Sequence, residues 1–203
     1  MVISYQNKPL PEPYTIYIKD FDFKRYMEYA NEDIDCELLD GELTIHSPAS
    51  LEHELIFKLV LNLLDLYLQR KKLGIALGSR FTMKLSDTWA PEPDIIFVGP
   101  MKEAQLKKTH LEGAADVVFE ILSPATRKDD LEKKLPKYIN WGVSEVWIID
   151  PEQKKVILNW KDEKEEISQG WVVSKYIGGF KLMIEWLWDA RNVDVLDTLE
   201  EII

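Results

Sequence analysis

The chain has 203 residues, of which 46% are hydrophobic and 30% charged, enough apolar side chain to bury a sizeable core and too much for a disordered chain. Lys and Arg total 25 against 36 Asp and Glu, a formal net charge of −11, so bulk charge does not hold this protein on nucleic acid. Cys36 is the one cysteine, which excludes an internal disulfide framework and a Cys-rich zinc site.

The opening MVISYQNKPLPEPY lacks the basic start and long apolar run of a signal peptide. Residues 1–19 carry Pro9, Pro11 and Pro13 and read as an extended arm. Asp20 or Asp22 is placed to cap a short helix over FKRYMEYA. In CELLDGELTI two short runs flank Asp40-Gly41, a pair that favours the positive φ angles of a hairpin turn. Ser47-Pro48 then opens the longest helical pattern, with Leu51, Leu55, Ile56, Leu59, Val60, Leu63, Leu64, Tyr67 and Leu68 at helical spacing and Gly74 placed to end it. Its most apolar part, LVLNLLDLYL, is broken by Asn62 and Asp65 and is too short to cross a bilayer, so the expectation is a cytoplasmic protein without a membrane partner.

Three strands follow: PDIIFV from Pro93, DVVFEIL from Asp116 and EVWIID ending at Asp150. Between the last two lies a helical pattern carried by Leu131, Leu135, Tyr138 and Ile139, so the order strand–helix–strand predicts a crossover and a partly parallel sheet. VILNWK and GWVVSKYI read as a closing meander, and MIEWLWDA and VDVLDTLEEI as short helices. Without an internal repeat or linker, residues 1–203 read as one α/β domain.

Phosphate-cradling glycine loops and the G-x-S-x-G elbow are absent, and His46, His53 and His110 make no H-x-x-x-H pair. Carboxylate remains, the ligand of hard ions such as Mg²⁺. Asp94 stands at the entrance to an apolar strand; a turn residue is the plainer role for it. Glu120 lies inside DVVFEIL, on the face of Asp116, Val118 and Leu122. A carboxylate there needs a partner, either a metal ion or an Arg or Lys. Asp130, Lys134 and Tyr138, spaced i, i+4, i+8, form one stripe along the next helix, bordering the apolar face of Leu131, Leu135 and Ile139. Read alone, Lys134 is an exposed partner of Asp130, and Pro136 kinks the helix.

PEPD at 91–94, FEILSPATR at 119–127, DDLEKKLPKY at 129–138, GVSEVWIIDP at 142–151 and ELLDGELTIHSPASLEH at 37–53 together resemble the Uma2 family of restriction-endonuclease-like proteins. The resemblance implies a PD-(D/E)xK nuclease core, a mixed β-sheet flanked by helices, here with an N-terminal hairpin and a C-terminal meander. It implies Asp94 and Glu120 as catalytic acids and ligands of Mg²⁺ (or Mn²⁺), acting on DNA phosphodiester bonds. Leu122 stands where the superfamily carries Lys, and the resemblance puts Lys134 in that role, with His53, Glu42 and Tyr138 supporting. Arg70-Lys71-Lys72, Lys107-Lys108 and Lys133-Lys134 are candidate backbone contacts. Leu122 and the acidic balance favour the alternative, an inactive nuclease-fold protein serving as a binding or self-association module. Four of the seven Trp, at 160, 171, 186 and 188, mark the C-terminal region as the surface of an expected homodimer.

Overall fold

The computed structural model describes residues 4–5 and 8–9 (backbone), 12–30, 34–78 and 80–203, so much of the predicted arm lies outside the described residues. Ser4–Tyr5 (β1) and Lys8–Pro9 (β2) pair antiparallel. The end of the arm is not free chain: Thr15–Ile18 (β3) adds a third strand to the hairpin of Cys36–Leu39 (β4) and Glu42–His46 (β5), in the order β3-β5-β4. Asp40 and Gly41 both take positive φ, 53° and 77°, as the turn requires. Asp22, rather than Asp20, caps Phe23–Tyr29 (α1), accepting the Arg25 N–H at 2.7 Å.

The long helix, Leu51–Lys71 (α2), begins three residues after Pro48 because the Ser50 hydroxyl accepts the His53 N–H at 3.2 Å. Its C-cap is Lys72 in the left-handed region, not Gly74. Gly74 serves a close approach instead: at φ 135°, a Cβ there would fall 2.3 Å from the Val98 carbonyl.

A six-stranded sheet lies beneath α2. It contains Ile75–Gly78 (β6), Ile95–Val98 (β8), Val117–Ile121 (β10), Glu145–Asp150 (β11), Lys155–Trp160 (β12) and Glu163–Ile167 (β13), in the order β13-β12-β11-β10-β8-β6. Only β10 and β11 run parallel within it, joined by the predicted crossover. Thr82–Lys84 (β7) and His110–Glu112 (β9) form a separate parallel pair. GWVVSKYI does not join the meander. Trp171–Val173 (β14) pairs with Lys181–Met183 (β15), and the acidic EKEEI of β13 is the third meander strand, its charges suited to an exposed edge. Ile184–Trp188 (α4) and Val195–Ile202 (α5) close the chain. Trp160, Trp186 and Trp188 pack against the core, and Trp171 stacks edge-on against Trp186 at 5.3 Å. Among the described residues no helix is long and apolar enough to cross a membrane.

Period-2 alternation splits the core in two. Val117, Phe119 and Ile121 face α2, α4 and α5; Val118 and Leu122 face the opposite cluster with Leu131, Leu135 and Ile139. The helix bearing those three is not regular. Asp129–Lys134 is a wide π turn, closed by the Leu135 N–H on the Asp130 carbonyl, and Leu135–Asn140 (α3) continues it. Pro136 therefore falls at the start of α3, where its missing N–H is tolerated, and the widened turn precedes it instead of a kink in mid-helix.

Candidate active site

The register of β10 against β8 pairs Phe119 with Ile95, so the next rung places Glu120 beside Asp94. The Asp94 N–H donates to Glu120 Oε2 at 3.3 Å, and the Ile121 N–H donates to Asp94 Oδ2 at 2.7 Å. The two acids, 26 residues apart in sequence, thus meet at one end of the sheet. They are not equivalent: the Asp94 side chain is 24% exposed and the Glu120 side chain 3%.

The wide turn brings the third residue. Lys134 Nζ lies 2.8 Å from Glu120 Oε1, 3.0 Å from Asp130 Oδ1 and 3.3 Å from Glu37 Oε2. The Tyr138 hydroxyl donates to the same Glu120 oxygen at 2.6 Å. Asp130, Lys134 and Tyr138 all turn inward, so the plain reading of Lys134 as a solvated partner of Asp130 is overturned; both are buried. Leu122, at the position where a Lys was expected, is buried among apolar residues, and the ammonium arrives from the helix instead.

Burial raises the Glu120 carboxyl above the usual carboxylate range; Lys134 opposes this, and Asp130, Asp94 and Glu37 add to it. Burial and the neighbouring acids likewise raise Asp130 against the pull of Lys134. Lys134 is held well above its usual range, since three carboxylates outweigh a burial that alone would lower it.

Glu37 was not singled out from the sequence, yet it forms one wall of this cluster. Reciprocal hydrogen bonds between Leu38 and Ala90, at 3.1 and 2.8 Å, lash β4 to the segment before Asp94. The Glu37 carboxylate accepts the Glu92 N–H at 3.2 Å, and His46 Nε2 lies 2.9 Å from its other oxygen. Burial favours its neutral form, but Lys134 and His46 prevail and hold it at about 2. The signal was present in the hairpin: the Asp40-Gly41 turn fixes Glu37 opposite Thr44, two residues along β5 from His46 and on the same face. Glu42, the hairpin acid that was expected here, lies two residues nearer the turn, opposite Leu39, and faces Lys19 at 3.9 Å; it does not join the cluster.

His53, on the first turn of α2, places Nε2 3.2 Å from Asp94 Oδ1. Burial alone would lower its pKa, but Asp94 more than reverses this and lifts it to about 9, so the ring is charged at neutral pH. Beneath the site Glu92 accepts hydrogen bonds from the Tyr26 hydroxyl and, at 3.1 Å, from Thr82; burial pushes its carboxyl up to about 8. Asp94, Glu120, His53, Glu37 and Lys134 line a cleft of about 400 Å³, bounded on its far side by Ser123–Thr126.

Among the described residues no set of three His, Cys, Asp or Glu side chains is placed to hold a metal ion unaided. The donors present are two adjacent carboxylates at the end of a sheet, one of them open to the cleft. That set fits Mg²⁺, which keeps several waters and takes one or two carboxylates, and does not fit a closed zinc site. Of the basic stretches, Lys133 pairs with Asp129 at 3.0 Å and Lys134 is interior. Arg70–Lys72 lies at the opposite end of α2 from His53, a helix about 30 Å long.

A family model described as "Uma2: Putative restriction endonuclease" matches residues 22–184. The chain is also similar to a solved structure described as "a putative nuclease belonging to DUF820" from Anabaena variabilis ATCC 29413, with TM-score 0.73 and 17% identity, covering 84% of this chain and 98% of that one. The likeness is one of fold: a mixed sheet flanked by helices, restriction-endonuclease-like in architecture. No curated protein matches.

Proposed function

The chain belongs to the Uma2 family, and from that premise we propose that it is a Mg²⁺-dependent endonuclease cleaving DNA phosphodiester bonds. The observation that carries the reading is that Glu120 on β10 meets both the Asp94 N–H, from the residue before β8, and the Lys134 ammonium, from the wide turn, at hydrogen-bond distance. Asp94 and Glu120 would hold the ion, beside the Ile121 backbone that already meets the Asp94 carboxylate. A divalent ion so held lowers the pKa of its water and offsets charge developing on the phosphorus.

The remaining steps belong to the protein's own groups. Lys134 Nζ, fixed by Glu37 and Asp130, keeps a positive charge at the cleft wall and orients the attacking water. His53, charged and 14% exposed, meets a phosphate oxygen from the opposite side. Tyr138 holds Glu120 in its rotamer through the 2.6 Å hydrogen bond. An overall acidic protein can approach DNA because the bound ion inverts the sign of the local field.

The test is cleavage of supercoiled plasmid with Mg²⁺ or Mn²⁺. Asp94→Asn and Glu120→Gln should each lose at least about 100-fold in rate while remaining folded. Undiminished cleavage in both variants overturns the proposal. Absence of cleavage together with absence of saturable Mg²⁺ binding by calorimetry would leave the non-catalytic reading, which the net charge of −11 favours.

A further inference from the structure

The end of the N-terminal arm bridges the two walls of the cleft. On one side β3 lies against β5, where Thr15 pairs with His46, and the Ser47 N–H donates to the Tyr14 carbonyl at 3.0 Å. On the other side the Thr15 hydroxyl donates to the Ala125 carbonyl at 3.1 Å, and the Tyr17 hydroxyl to Asp129 Oδ2 in the wide turn at 2.8 Å. The Lys133 ammonium, 4.6 Å from the centre of the Tyr17 ring, adds a third tie. Glu12 and Pro13 line the cleft itself. The segment 12–17 is therefore a strap that joins the His46–Ser50 wall to the Ser123–Thr126 wall.

The strap bears on what can enter. The two acids are recessed, with the Asp94 side chain 24% exposed and that of Glu120 3%. Duplex DNA is stiff over lengths of about 150 base pairs, so its phosphates reach recessed carboxylates only through a cleft open along its length. A single strand bends and delivers one phosphate at a time. The space suits it: the cleft of about 400 Å³ continues past Asp94 and His53 into a second lobe of about 480 Å³, each the size of a pocket for a compact molecule.

Charge points the same way. Among the described residues the cations lining the two lobes are Arg80, His46, His53 and Lys134, and carboxylates outnumber them. Lys134 is shared by three acids, and the charge of Arg80 acts on Asp35. Duplex affinity comes from many phosphate contacts. This lining can serve one or two phosphates beside the scissile bond, not a row of them.

We propose that the site takes an unpaired DNA strand, threaded through the two lobes past Asp94 and His53, and that the strap turns duplex away. The proposal deepens the nuclease reading and rests on it for the chemistry.

The experiment gives the full chain, with Mg²⁺ or Mn²⁺, a linear single strand, the blunt duplex of the same sequence, and that duplex with a central bubble of mismatched bases. Unpairing costs a few kcal/mol, so the single strand should be cut at least about tenfold faster than the duplex, and the bubble only within its unpaired nucleotides. Equal rates on single strand and duplex overturn the proposal. The double variant Thr15→Val, Tyr17→Phe unties the strap from its far wall without touching the core, since Tyr17 is 46% exposed. It should raise duplex cleavage several-fold relative to single-strand cleavage, and an unchanged ratio overturns the strap as the barrier. If no substrate is cut, the nuclease reading falls, and fluorescence anisotropy with labelled oligonucleotides in Ca²⁺ decides the rest. Tighter binding of the single strand sustains the strand site; equal or absent binding overturns it.

Discussion

The two faces of the six-stranded sheet bury different chemistry. Toward α2 the interior is mostly hydrocarbon: Leu59, Leu63 and Leu64 pack with Phe119, Ile121 and Trp147. A buried carboxylate on this side, Glu145, is satisfied by the Trp147 Nε1–H, the Ser174 hydroxyl and the Lys175 N–H, without any ion pair in its shell among the described residues. Toward α3 the same strand β10 turns Glu120 inward, and four further ionisable side chains, Glu37, Asp130, Lys134 and Tyr138, are buried around it. Hydrocarbon packing is additive and tolerant of rearrangement, whereas a buried charge cluster stands or falls on each partner. The first face holds the sheet together. The second is stable only because that sheet gives it a rigid floor.

Lys134→Met should separate the two faces most sharply. It leaves three buried carboxylates without their cation and should cost about 3–5 kcal/mol by urea unfolding at neutral pH. The cost should shrink as pH falls. Lys134 is the group that now opposes the burial-driven rise of Glu120 and Asp130, so without it their folded carboxyls hold protons to still higher pH, and the variant regains more stability on acidification than the parent does. A cost independent of pH would mean the lysine acts through packing alone.

Leu63→Ala, on the hydrocarbon face, should cost about 2–5 kcal/mol by cavity formation, with no dependence on pH and no change in Mg²⁺ affinity per folded molecule. Tyr138→Phe should cost less, about 1–2 kcal/mol, since it removes one hydrogen bond to Glu120 and keeps the ring. His53 gives the smallest effect and the most local one. Its imidazole resonances should titrate near 9, and Asp94→Asn should return them toward the ordinary histidine range. With its folded pKa raised, its contribution to stability is complete below about 6.5, the unfolded value, and is lost as pH rises through 9.

Much of this was legible from particular residues. Asp40-Gly41 announced the hairpin, the strand–helix–strand order announced the parallel β10–β11 pair, and the alternation in DVVFEIL assigned Glu120 to its face. Asp130, Lys134 and Tyr138 were correctly placed on one stripe, but spacing alone could not say that the stripe faces inward; that depends on the one-residue widening of the turn. Glu37 was hidden because its role arises from the Leu38–Ala90 bridge, a contact between residues 52 apart in sequence with no local signature. β13 was missed because an edge strand made of EKEEI carries no hydrophobic alternation to read.

The wide turn makes the geometry of the cleft depend on a single unit of chain length. Glu132, within it, is exposed and makes no core contact, so its removal would sacrifice little packing and convert Asp129–Lys134 into ordinary helix. Everything on the N-terminal side would then rotate by about 100° relative to Lys134 and Tyr138. Asp130 would swing off the ammonium, and Asp129 would leave the Tyr17 hydroxyl that it now meets at 2.8 Å. A deletion that yields a more regular helix would thereby dismantle the charge cluster, so this family of shapes can lose its chemistry through a change that any helix-propensity scale would score as an improvement.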